Sequence, residues 1–312
     1  MSDEDNWTRN TLRDIALEGV KERRRARRWG IFFKLLLVGY IGGMSILAFL
    51  PSGVLTTETA TGPHAGVVRL EGPIMADSPA SATNILGAIE TALSVNATRG
   101  VILEINSPGG SPVQSGQIFR GINALQEQYP NKPIITVGQD IMASGAYYSA
   151  AATEEIFVDP ASLVGSIGVI SRGFGFTEAL SRLGVERRVY SAGDEKAGLD
   201  PFMPEDPEAI EDLQTMLNEI QQQFVSAVRQ GRGNRLNEQQ DDLFSGRTWT
   251  GEQAVDLGLA DGFGDTKAVA QMRFDTEEMV DYTTPRPLLD QLVERIGVSL
   301  RHGLFSSSFM AN

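Results

Sequence analysis

RGVILEINSPGGSPVQSGQIFRGINALQEQYPNKPIITVG, residues 99–138, decides the fold. RGVILEIN (99–106) is a short apolar run rich in β-branched side chains, closed by Asn-Ser-Pro-Gly-Gly. A run of that length ended by turn residues predicts a strand. PVQSGQIFRGINALQEQ (112–128) then repeats its apolar residues at helical spacing, and KPIITVG (132–138) is a second β-branched run. Strand, helix and strand in immediate succession predict parallel strands joined by a crossover helix.

The alternation extends in both directions. GVVRLEGPI (66–74) reads as a strand and ATNILGAIETAL (82–93) as a helix. Downstream come a helix from about Ser144, strands at EIFV (155–158) and SIGVI (166–170), a helix at FTEALSRLG (176–184) and a strand at VERRVY (185–190). The expectation is an α/β fold with a mostly parallel sheet, whose ligands gather at the carboxyl ends of the strands. Three segments should open onto that edge: NSPGGSP, Ser144, and the loop SAGDEKAGLDPFMP (191–204).

Composition narrows the chemistry. The chain has 312 residues, 41% of them hydrophobic, enough for one large domain or two small ones. It has no cysteine and two histidines, His64 and His302, which removes disulfides, thiolate chemistry and histidine-rich metal sites. No metal or cofactor is expected. Residues 1–34 carry 9 Lys/Arg against 6 Asp/Glu, a net of +3; the whole chain carries −13, so the remainder carries −16. So acidic a body repels phosphate backbones, and nucleic acid is not an expected partner.

The N-terminal region is organised differently. KERRRARRWG (21–30) precedes IFFKLLLVGYIGGMSILAFL (31–50), whose one charge, Lys34, sits near the basic end. This predicts a membrane span with residues 1–30 on the cytoplasmic side. A cleaved signal peptide is the alternative, though no clear small-residue cleavage site follows. Residues 51–65, rich in Gly, Pro and Thr, then form a tether.

Ser144 lies in QDIMASGAYYSAAAT (139–153), a run of small residues after an apolar segment. One reading is the N-cap of the following helix. The other is a nucleophile beside a backbone N–H, that of Gly145, placed to receive an oxyanion. The two are compatible, although the G-x-S-x-G elbow is not matched. Gly109 and Gly110 could present further uncovered N–H groups, or form an ordinary Pro-Gly turn. A serine nucleophile needs a base. His64 falls on the tether and His302 in the tail, so a Ser-His-Asp triad is poorly supported. Of the five lysines, Lys21 and Lys34 belong to the N-terminal segment, Lys132 starts a strand on the edge opposite Ser144, and Lys267 begins a late helix. Lys196 alone follows a strand's carboxyl end. It would have to lose its proton far below the usual value of about 10.4, with Asp194, Glu195 and Asp200 facing away; otherwise it is a solvated loop lysine.

NSPGG, MASGAYY, LVGSIGVI and the lysine of SAGDEKAGLDPF stand in the order found in the signal peptide peptidase A family, membrane-anchored Ser-Lys peptidases, which this chain resembles over about residues 66–270. GRGNRL and LFSGRTWTGEQAVDLGLADGFGD (within 231–265) look like that family's end region. The resemblance implies a fold of repeated ββα units like that of the crotonases and Clp protease. It implies Ser144 as nucleophile, Lys196 as general base, Gly110 and Gly145 as oxyanion donors, and Ser166 as the hydroxyl that orients the lysine. Ala146 departs from the SGGYY often found there, and its methyl would narrow the cleft. The implied substrates are signal-peptide remnants and similar short apolar peptides. The implied setting is the bacterial inner membrane, with the catalytic body outside the cytoplasm in a homo-oligomeric ring whose sites draw serine and lysine from neighbouring subunits. Two other classes stay open: an acyl-CoA enzyme of crotonase type, and an inactive membrane scaffold. Residues 271–312 lie beyond the resemblance and have no assigned role.

Overall fold

The computed structural model describes residues 24–25, 27–43 and 62–285. The chain divides into two units, Met1–Glu58 and Thr59–Asn312. In the first, residues 27–43 are helical and exposed along nearly all their length. The expected span is therefore helical from 31 to 43, and its remainder, 44–50, lies outside the described residues. Among the described residues no helix is long and apolar enough to cross a membrane.

The second unit is built on one sheet. Its elements are β1 (His64–Glu71), α1 (Ala82–Ser94), β2 (Thr98–Ser107), α2 (Pro112–Gln128), β3 (Ile134–Ala143), α3 (Gly145–Ala150), β4 (Glu155–Val158), β5 (Leu163–Gly165), α4 (Thr177–Arg182), α5 (Pro207–Arg232), β6 (Thr248–Thr250), α6 (Gly251–Asp256), β7 (Gly262–Phe263), α7 (Thr266–Phe274) and β8 (Met279–Asp281). The order is β6-β5-β3-β2-β1-β8, with β4 also on β3 and β7 beyond it. All pairs are parallel except β5 with β6. β3 changes neighbour along its length: residues 135–138 pair with β4 and 141–143 with β5.

Both faces of the sheet are covered, which explains the near-continuous apolar strands. Val101, Leu103 and Ile105 join the core under α1 and α2, with Ile85, Ile89, Ile118 and Ile122. Ile102 points the other way, to Ile135, Phe157, Val269 and Phe274. The 3.6-residue period of the two helices and the period of two in the strands meet there.

Several expectations are corrected. The strand expected at 166–170 lies three residues earlier, at β5, because Ser166 turns into a left-handed conformation (φ 50°) that ends it. VERRVY is not a strand: the free side of β5 is taken by β6, and residues 185–190 are exposed with no pairing partner. They belong to an arm, about residues 168–206, on which α4 has no buried residue. His64, expected on the tether, opens β1 and is buried, its Nε2 within 2.9 Å of the Tyr282 hydroxyl and 3.1 Å of Thr98 Oγ1. It lies at the amino edge of the sheet. β8 gives part of the unassigned tail a place, pairing with β1.

Candidate active site

The carboxyl edge gathers two of the three expected segments, with Ser166 beside them. Gly109 and Gly110 follow β2, Ser144 follows β3, and Ser166 follows β5. The loop holding Lys196 is not placed by a strand, since 185–190 is none.

Ser144 occupies a sharp turn from strand to helix, with φ 53° and ψ −126°. A left-handed backbone is costly for a residue with a side chain, and such residues concentrate where function demands them. Among the described non-glycine residues only Ser144, Ser166 and Asp275 have positive φ. Ser144 stands at the N-cap of α3, yet its hydroxyl caps nothing. The capping reading is therefore set aside, and the hydroxyl is left for other chemistry. Although the G-x-S-x-G string is absent, the strand–turn–helix geometry of a nucleophile elbow is present.

The surrounding glycines are required by close backbone approach. A Cβ on Gly109 would lie 2.7 Å from the Gly145 nitrogen and 2.8 Å from Ser144 Cβ. One on Gly110 would fall on the Ile74 carbonyl, and one on Gly145 on Ser115 Oγ. Ile74 fixes the Gly-Gly segment: its N–H donates to the Gly109 carbonyl at 3.0 Å, and its own carbonyl accepts from Ser111 at 2.8 Å. That pattern bypasses the N–H of Gly110. Among the described residues, no hydrogen bond uses the N–H of either Gly110 or Gly145. Two unoccupied amide donors therefore flank Ser144, the arrangement an oxyanion requires.

Ser144 opens into a cavity of about 140 Å³. Its walls include Gly110, Gly145, Tyr148, Val169, Ile220 and Phe224, so it suits an apolar group. Tyr148 stacks on Phe224 with ring centroids 4.8 Å apart. Burial pushes the Tyr148 phenol up, against the pull of Arg120, so the wall stays neutral. A wider groove of about 620 Å³ lies on the far side of Tyr148, with Arg120, Glu219 and Gln222 among its lining.

Lys196 is exposed on the 3₁₀ turn Asp194–Ala197 and does not line that cavity. Its ammonium makes no hydrogen bond or ion pair with a described residue. The structure thus joins Ser144, Gly110, Gly145 and Ser166 but leaves Lys196 on the arm. Asp200 is turned to Arg187 at 2.9 Å, and a backbone N–H from Phe202 together with that guanidinium holds its carboxyl below the usual range. The side chains of Asp194 and Glu195 lie outside the described ones. The other body lysines are engaged: Lys132 donates to the Leu93 and Val95 carbonyls, both at 2.7 Å, and Lys267 pairs with Glu277 at 3.2 Å. Sequence reasoning missed Ser115 and Ile74, whose contacts with the glycines have no local signature. It also missed Trp249, for which the antiparallel pairing of β6 with β5 would have been needed.

The sequence profile of Peptidase family S49 matches residues 126–279. A Brucella abortus (strain 2308) protein named Na(+)/H(+) antiporter NhaA is 42% identical over 238 residues, covering 74% of this chain and 32% of that protein. A putative signal peptide peptidase SppA of Enterococcus faecium is 33% identical over 181 residues, 58% of this chain and 52% of that protein. A putative protease of Synechocystis is 33% identical over 199 residues, 62% of this chain and 70% of that protein. The chain thus spans about a third to a half of the first two. Parallel sheet, the strand-to-helix turn at Ser144 and flanking amides together have the form of an acyl-transfer site. The chain belongs to peptidase family S49, the signal peptide peptidase A family.

Proposed function

We propose that the protein is a membrane-anchored serine endopeptidase that degrades signal-peptide remnants and similar short apolar peptides by a Ser-Lys mechanism. The observation that carries this reading is the strained Ser144 between two N–H groups without acceptors. The neutral amine of Lys196 takes the proton from Ser144 Oγ as that oxygen attacks the scissile carbonyl. The tetrahedral oxyanion accepts from the N–H groups of Gly110 and Gly145. The ammonium returns the proton to the leaving amine, and water, deprotonated by the same lysine, then hydrolyses the acyl-enzyme ester. Ser166 orients the lysine. The ββα resemblance to crotonases and Clp protease is part of this reading, as is anchoring through residues 31–50 with the body outside the cytoplasm. The antiporter name of the Brucella relative carries no transport role to this chain, since the match covers 32% of that protein.

The position of Lys196 is accounted for by a site shared between subunits of a ring. The arm that bears it exposes Ile170, Phe174, Leu183, Val185, Tyr190 and Leu199. The first half of α5 adds Ile210 and Met216, exposed where its core-facing stripe has run beyond its own body. Apolar surface of this extent calls for a cover, and a second copy supplies one. The test mixes dissociated Ser144→Ala and Lys196→Ala subunits and reassembles them. Random equal mixing restores an intact serine facing an intact lysine at about a quarter of the interfaces. No activity in verified mixed rings rejects the shared site; turnover by folded Ser144→Ala alone rejects the nucleophile.

A further inference from the structure

Ser166 holds a left-handed backbone at φ 50° without being glycine, and such a turn relaxes unless its surroundings hold it. The strip Gly246–Thr250 supplies the hold. The Ser166 N–H donates to the Arg247 carbonyl at 2.8 Å. A Cβ on Gly165 would lie 2.9 Å from Trp249 Cδ1, so the turn is pressed against the indole. A Cβ on Gly168 would lie 2.9 Å from Gly246 Cα, a second close approach between the same two segments.

The other side of this turn faces the nucleophile. The Ser144 N–H donates to the Gly165 carbonyl at 2.8 Å. That carbonyl and the Ser166 N–H belong to one peptide plane, so a single rigid plane links the Arg247 carbonyl to the Ser144 amide. Rotating it would move the nucleophile's backbone and re-aim the Ser166 hydroxyl together.

Trp249 backs the plane. It is buried, and the Arg247 guanidinium lies 4.2 Å from its ring centroid while pairing with Asp242 at 2.6 Å. The indole N–H is buried with no acceptor. A donor left unpaired is a cost that phenylalanine would avoid, so the hydrogen bond is not why a large ring stands there.

We propose that Trp249, with Arg247 stacked on it, is a positioning residue for the nucleophile site: it fixes the 165–166 peptide plane, and through it the Ser144 backbone and the Ser166 hydroxyl. This rests on the Ser-Lys reading. None of the described walls of the Ser144 cavity belongs to the strip, so turnover should suffer and substrate binding should not.

The experiment uses the full chain and an aminomethylcoumarin amide of an apolar tripeptide as probe, across pH. Trp249→Ala is expected to lower kcat by about a hundredfold, the scale of an ångström-sized misplacement, with KM nearly unchanged. The pH dependence of kcat should change with it, because the Ser166 hydroxyl is re-aimed. Trp249→Phe should recover most of the lost kcat, and Arg247→Ala should fall in the same sense by about tenfold. A cooperatively melting Trp249→Ala protein with parental kcat and pH profile overturns the proposal. Should that variant fail to fold, parental kcat and profile in Arg247→Ala overturn it instead. Ser144→Ala runs alongside: turnover there removes the nucleophile reading itself, whereas a dead Ser144→Ala beside an unaffected Trp249→Ala and Arg247→Ala removes the positioning role alone.

Discussion

Replacing Gly145 with alanine adds one methyl at the point where three backbone segments meet. The new Cβ would fall on Ser115 Oγ, at 3.2 Å from the Gly110 nitrogen and 3.4 Å from Ser115 Cβ. Overpacking a buried site costs about 1–3 kcal/mol. The gain in helix propensity, up to about 1 kcal/mol, partly offsets it. The net cost of about 0–3 kcal/mol shifts the melting temperature by at most about 12 °C in a body of this size, so the protein folds. Catalysis is more sensitive. The methyl pushes apart the two amides that flank Ser144, and losing one oxyanion donor costs about 10²–10³ in kcat. Removing the Ser115 hydroxyl should relieve most of the clash, because the contacts that remain, the Gly110 nitrogen at 3.2 Å and Ser115 Cβ at 3.4 Å, are both far looser than the one removed. The assay is burst acylation with a chromogenic ester, beside a circular-dichroism melt. Gly145→Ala should lose the burst while folded, and Gly145→Ala/Ser115→Ala should regain at least tenfold. Parental acylation in the single variant, or no recovery in the double one, refutes the reasoning.

Lys196→Arg should be as inactive as Lys196→Ala, since a guanidinium does not deprotonate at working pH; steady-state kinetics with a peptide amide check this. Asp261 accepts from the fully buried Arg232 at 2.8 and 2.9 Å and from the Ile156 N–H at 2.7 Å. Burial pushes its carboxyl up, but the Arg232 hydrogen bonds and charge outweigh this and hold it below its usual value. Its contribution is therefore complete above the unfolded value of about 3.9 and is lost as pH falls through the folded one. Asp261→Asn leaves Arg232 buried without its counter-charge, so calorimetry should show a loss of about 3–5 kcal/mol at neutral pH and a weaker acid dependence than the parent's. A reporter fused after residue 60 should be active only outside the cytoplasm, given Lys21, Arg23, Arg24, Arg25, Arg27 and Arg28 on the other side of residues 31–50; cytoplasmic activity reverses the orientation.

The parallel sheet was legible because its strands are buried on both faces and therefore apolar throughout: EIFV at 155–158 and the helix at 112–128 fall on their expected residues. Gly109, Gly110 and Ser144 could be placed at one edge because the rule that ligands sit at carboxyl ends turns a strand boundary into a candidate position, whereas Ser166, expected to open a strand, was named only through the family resemblance. VERRVY misled because alternation reports only that a segment could pair; β6 had already taken the edge of β5. β8 was invisible because three residues on an outer edge carry no periodicity. Ser115 and Trp249 act through contacts across 30 and more than 80 residues of chain, which no local pattern encodes.

The left-handed backbones of Ser144 and Ser166 set folding and chemistry in opposition. Each costs a side-chain-bearing residue about 1–3 kcal/mol, which glycine would largely recover. Ser144→Gly should therefore melt higher than the parent while losing all turnover. A lineage released from the need to catalyse would gain stability by drifting to glycine at both places. Serine at both places stands where the backbone alone would favour glycine.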